Sequence, residues 1–186
     1  MKTKRIILLF AAIVTGLVFA GCSKLKSAAD ITLHPSFSTD IRVNIPPTTT
    51  IKGTQTSYSF KDSVTIDPTS DTTVAKYESY IKSWNVDSIT GIFTNVSTPV
   101  NLTNVTVQVK TSTGSFGWQS GNVTVKEGTN LVLDNAQGQL DKLGQALNGK
   151  QPFTVIFSGT SDQTDVHFTL SLKINTTLVA NPLGSI

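Results

Sequence analysis

DVHFTLSLKI, residues 165–174, decides how this chain folds. Val166, Phe168, Leu170, Leu172 and Ile174 alternate with His167, Thr169, Ser171 and Lys173. Successive side chains of a strand point to opposite faces, so this period of two gives one dry side and one wet side. Such a strand belongs in an antiparallel sheet that packs one face inward and solvates the other.

The same period recurs upstream. Ile41, Val43 and Ile45 alternate in DIRVNIPP (40–47), which Pro46 and Pro47 end because proline donates nothing to a ladder. TSYSFKDSVTID carries Tyr58, Phe60, Val64 and Ile66; DSITGIF carries Ile89 and Phe93; NVTVQVK carries Val105, Val107 and Val109; FTVIF carries Phe153, Val155 and Phe157. Charged residues are only 15% of the chain, while Thr and Val are abundant, and β-branched side chains pack well on a pleated surface. These patterns predict a mainly β protein, an antiparallel β-sandwich of about eight strands.

Two segments change to helical spacing. In SDTTVAKYESYIKSW, Val74, Tyr77, Ile81 and Trp84 recur at three and four residues, with Ser70 or Asp71 placed to cap the start. In DNAQGQLDKLGQALNGK the stripe is Ala136, Leu140, Leu143 and Leu147, with Asp134 as N-cap, Gln137 as capping-box partner and Gly149 as stop. Each short amphipathic helix can bury one stripe, so both are expected across a sheet edge or an end of the sandwich.

The first 21 residues have a different character. Lys2, Lys4 and Arg5 precede the apolar run Ile6 to Ala20, which is shorter than the roughly 20 residues of a spanning helix and ends in small residues, as signal peptides do. Phe19-Ala20-Gly21-Cys22 then resembles the lipobox of bacterial lipoproteins, with Phe19 where an aliphatic residue is usual. The resemblance implies removal of residues 1–21, acyl chains on Cys22 and a short tether over 22–29 before a single β-sandwich domain at 30–186. The alternative is ordinary secretion, cut after Ala20. Cys22 is the sole cysteine, which excludes a disulfide framework and a CxxC metal site. Acyl chains contribute about 0.8 kcal/mol per buried CH₂, so two or three of them anchor stably. Fully extended, residues 23–29 span on the order of 25 Å.

Loss of the signal segment removes three of 15 basic residues and leaves 12 against 12 acidic ones. The mature chain is therefore neutral and offers no basic stripe for nucleic acid. Over most of its length it also resembles small uncharacterised envelope lipoproteins of the Bacteroidota, through LHPSFSTDIRVNIPP, YESYIKSWNVDSITGIF and LKINTTLVANPL. That resemblance carries no activity. By lipoprotein sorting rules Ser23 after the cysteine favours the outer membrane, and Lys24 and Lys26, unlike an acidic export cluster, favour its periplasmic face.

Few residues suggest chemistry. GQALNGKQ (144–151) matches a phosphate-binding loop except at Gln151, which has no hydroxyl for Mg²⁺, and its glycines sit in and after a helix pattern rather than between strand and helix. His34 and His167 have no partner at ligand spacing, and Asp62, Asp67 and Asp71 lack the loop pattern of a calcium site. Asp165 or Ser171 touching His167 would be the geometric sign of a hydrolase. The residues predict no enzyme, metal or cofactor. Phe116 and Trp118 in GSFGWQSG point to one side of a glycine-flanked strand and are the candidate ligand contacts, since flat aromatic faces stack on sugars or anchor partners. The reading is a membrane-anchored cell-envelope lipoprotein, a structural or interaction module that meets the membrane through Cys22 and an envelope protein or glycan through its domain. The alternative is a glycan- or apolar-ligand-binding module using Phe116 and Trp118 or a pocket between the sheets.

Overall fold

The computed structural model describes residues 29–47 and 57–183. The expected signal segment 1–21, Cys22 and the expected tether up to residue 28 lie outside the described residues. In chain order the elements are β1 (Ile31–Leu33), β2 (Ser36–Ile45), β3 (Tyr58–Ile66), α1 (Thr72–Tyr77), β4 (Ile81–Thr94), β5 (Val100–Thr111), β6 (Gly114–Val125), β7 (Asn130–Leu133), α2 (Gln139–Asn148), β8 (Phe153–Ser161) and β9 (Val166–Ala180). They form the expected mainly β antiparallel sandwich with two short helices, with nine strands among the described residues.

β9 is the axis of the first sheet. Its alternation runs beyond Ile174 to Thr176, Leu178 and Ala180, all buried. β2 pairs along one edge from Ser36 opposite Asn175 to Ile45 opposite Val166, and β1 continues that edge from Leu33 opposite Leu178. The break falls at His34-Pro35, where proline has no N–H for the ladder. The Pro35 carbonyl compensates by accepting from both the backbone N and the Oγ1 of Thr176. β4 pairs along the other edge of β9, and β7 pairs with β4 over Ile89 to Ile92 alone.

The second sheet has the order β3-β8-β5-β6. Between the sheets four rings interlock: Phe60 and Phe157 from one, Phe93 and Phe168 from the other, with centroids 5.2–6.4 Å apart in tilted or edge-on geometry. These are the favoured arrangements of the aromatic quadrupole.

The helices differ from the sequence reading at their ends. α1 stops at Tyr77, followed by one 3-10 turn, so Ile81 and Trp84 belong to β4 rather than to the helix. The cause is tertiary: Ile81 pairs with Ala180 and Trp84 with Leu178, and this ladder outweighs the modest helix propensity of a Thr- and Tyr-rich segment. Asp71 caps α1 as expected, accepting from the backbone N of Thr73 and Val74. Trp84 keeps the packing role read for it, fully buried, with its indole N–H donating to Thr176 Oγ1 at 2.9 Å.

α2 begins at Gln139 behind Gly138, which has φ 72°, so Asp134 is not its N-cap. Asn135 Oδ1 instead accepts from the Leu140 backbone N, and Asp134 Oδ1 closes a local turn onto the Ala136 N. A Gly138 N–H to Asn135 carbonyl bond makes the turn that a left-handed residue permits. Gly149 ends the helix as expected. α2 covers the part of β4 that β7 leaves unpaired. Gly144 sits where a Cβ would stand 3.3 Å from the Trp84 carbonyl, and Asn148 Nδ2 donates to that carbonyl at 2.8 Å. In GQALNGKQ, Gly144 thus lies inside a docked helix, Gly149 caps its end, and Lys150 and Gln151 follow it.

The chain enters the fold beside its exit. Ala180 lies between Ile31 and Ile81, and Asp30 accepts from Lys82 Nζ at 2.8 Å and from Asn181 Nδ2 at 2.6 Å. The hydrogen bond from Lys82 holds the Asp30 carboxyl below its usual range. The clasp is therefore complete above the ordinary carboxylate pKa and is released only as pH falls through the lowered value.

Candidate functional site

β6 borders one sheet and the four-residue β7 borders the other, so the sandwich is open along the seam between them. A tight turn joins the two strands, with Gly128 at φ 77° and Thr129 N–H donating to the Lys126 carbonyl. The opening is a groove of about 900 Å³. Its walls include Trp118, Gln119, Asn122, Asn130 and Gln137, with Asp134 as its single ionisable side chain. Hydroxyls and amides that both donate and accept suit a neutral polar ligand.

Phe116 and Trp118 do share a side of β6, opposite Val109 and Val107, with their rings edge-on at 6.3 Å. That side faces the interior. Trp118 is 5% exposed and donates its indole N–H to the Asp134 carbonyl at 2.6 Å, which ties the loop before α2 to the groove wall. Phe116 borders a second hollow of about 420 Å³ between the β5–β6 hairpin and the end of α2. The two rings therefore serve two different hollows.

Gly117 between them allows close approach of β6 to β5: a Cβ there would stand 2.3 Å from the Val107 carbonyl oxygen. Gly117→Val is expected to cost about 1–3 kcal/mol through forced separation of the two strands. Urea unfolding measures it; a variant as stable as the parent would show that β6 shifts freely.

Sequence reasoning missed Gln139. It is buried at the first turn of α2, accepts from the Gln137 backbone N at 2.8 Å and reaches the Gly117 carbonyl with its Nε2 at 3.5 Å. A glutamine in a helix of mixed polarity looks like a solvated side chain, so the only signal was its place just after Gly138.

The other candidates fall apart in space. Ser171 Oγ donates to Asp40 at 2.8 Å and the His167 backbone N donates to Ser97 Oγ, so neither Ser171 nor Asp165 is bonded to the His167 ring. His34 Nδ1 lies 3.2 Å from Thr177 Oγ1, which donates to Asp87 at 2.8 Å. With the hydroxyl proton on the Asp87 side, His34 presents an N–H to Thr177 and is not its base. Asp67 caps a 3-10 turn at Pro68–Ser70 and Asp71 caps α1, and burial raises the Asp62 carboxyl above its usual range. Among the described residues there is no cluster of three or more histidine, cysteine or acidic side chains arranged to hold a metal, and no helix long and apolar enough to cross a membrane.

No protein-family model matches this chain, and no curated protein does. Among solved structures it is similar to a decameric BFDV capsid protein, at 11% identity and TM-score 0.37 over 80% of this chain and 99% of that one. It is also similar to a chain of Desmodium yellow mottle tymovirus, at 11% identity and TM-score 0.32 over 82% of this chain and 90% of that one. Likeness at this level carries no functional argument.

Proposed function

We propose that the protein is a lipid-anchored component of a bacterial cell envelope, held at the outer membrane through Cys22, whose sandwich is an interaction module. The observation that carries this reading is the sole cysteine directly behind a basic, apolar, small-residue leader. The position of Asp30 sets where such an anchor would lie. Seven residues separate Asp30 from Cys22, so the sheet end bearing Ile31 and Ile81 stands within roughly 30 Å of the anchor. The groove lies farther along, since β7 pairs with β4 eight to eleven residues from Ile81, roughly 25–35 Å at strand rise. A domain so placed holds its seam out into the aqueous space.

Cys22→Ser is expected to abolish the acyl mass and move the protein from the membrane pellet to the soluble fraction, in a bacterium that processes lipoproteins. Intact mass spectrometry with fractionation reads both, and an unchanged distribution would defeat the reading. The groove favours a second, compatible reading, a binding module for a neutral glycan. Its support is the pairing of Trp118 with a wall of amides and hydroxyls. Native mass spectrometry of the full chain with neutral oligosaccharides tests it, and the absence of any adduct would count against it.

A further inference from the structure

The exposed large apolar side chains among the described residues fall into two places. Ile92 (40% exposed) and Val132 (74%) lie on or beside the β4–β7 ladder, and Tyr80 (37%) and Leu183 (49%) lie where the chain enters. The second pair is held together: the Asn181 N–H donates to the Tyr80 carbonyl at 2.8 Å, and the Leu183 N–H to Asn181 Oδ1 at 3.1 Å. Asp30 accepts from the same Asn181 and from Lys82, so this rim is also the start of the tether. Lys150 Nζ donates to the Glu78 carbonyl beside it, and Lys76 lies 5.1 Å from the Tyr77 ring centroid one turn away.

We propose that this rim docks on the bilayer that holds the acyl chains, with Tyr80 and Leu183 entering the headgroup region. The inference rests on the anchor reading and adds an orientation to it. Three observations carry it. The chain length from Cys22 to Asp30 keeps the rim within reach of the surface. A tyrosine with one apolar and one polar end is a residue type enriched at membrane–water interfaces. Lysines with long apolar stems extend their ammonium groups toward lipid phosphates. Ile92 and Val132 lie roughly 30–35 Å along β4 from Ile81, beside Lys173 opposite Thr90, and docking of the rim leaves this second pair at the far part of the sheet. Docking fixes the axis of the sandwich relative to the bilayer and sets the height at which the groove is presented.

The test uses the full lipidated protein in vesicles of phosphatidylethanolamine and phosphatidylglycerol. Acylation occupies the Cys22 thiol, so a new cysteine labels selectively. Ser79→Cys carrying an environment-sensitive dye is compared with Val132→Cys carrying the same dye. The expected result is a blue shift and quenching by brominated acyl chains at position 79 and neither at 132. Adding Tyr80→Ser and Leu183→Ser should return the position 79 signal toward water. A water-like signal at 79 with acyl mass confirmed on Cys22 overturns the docking alone, as do equal signals at 79 and 132. Absence of acyl mass overturns the anchor and the docking together.

Discussion

Trp84→Ala is expected to lower the unfolding free energy by about 3–5 kcal/mol, a large part of the stability of a domain this size. The ring is fully buried where β4 crosses beside β9, 5.8 Å from the Phe37 ring. It also heads a chain of hydrogen bonds, from its indole N–H to Thr176 Oγ1 and from that hydroxyl to the Pro35 carbonyl at 2.8 Å. Truncation removes the ring's contacts and leaves a cavity that the neighbouring strands can only partly fill. Thr176→Val is the control, because it keeps the ring and leaves the indole N–H without its acceptor, at about 1–3 kcal/mol. Urea unfolding followed by circular dichroism compares the two. If Trp84→Ala cost no more than the control, the ring's burial would not be what holds the first sheet together.

Phe157→Ala should cost a similar amount, about 3–5 kcal/mol, for a different reason. Phe157 comes from the second sheet and touches Phe60 within its own sheet and Phe93 and Phe168 across the core. Its loss therefore loosens the contact between sheets rather than a strand ladder. Phe157→Leu keeps most of the volume and should cost less than about 1.5 kcal/mol. Thermal unfolding of both variants checks the difference. Equal losses would mean that aromatic geometry, and not volume, is what this position supplies.

The strands were legible because their alternation is a local property. Val166 to Ile174 and Val105 to Val109 declare a buried face without reference to any partner. Helix ends were less so. Ile81 and Trp84 fit a helical stripe as well as a strand, and only the pairing with Ala180 and Leu178 settles which. The same holds for the loop before α2, where Asp134 looks like a cap in sequence but gives its carbonyl to Trp118, 16 residues upstream. The candidate site was legible in part: Phe116 and Trp118 could be placed on one side of one strand. That this side is the inner one, and that the groove lies along the seam with β7, depends on sheet order, which no local pattern encodes.

The place of β9 bears on how the chain is made. Its partners β1, β2 and β4 all leave the ribosome earlier, yet none of them pairs with another in the first sheet except through β9. That sheet has no axis until the segment ending at Ala180 is synthesised, and its pairings join residues as far apart as Ile31 and Ala180. Long-range pairing of this kind is slow, in the range of milliseconds to seconds for comparable topologies. A nascent chain built this way cannot assemble its first sheet step by step as it emerges, and β9, the last of the described strands, closes that sheet once it has been made.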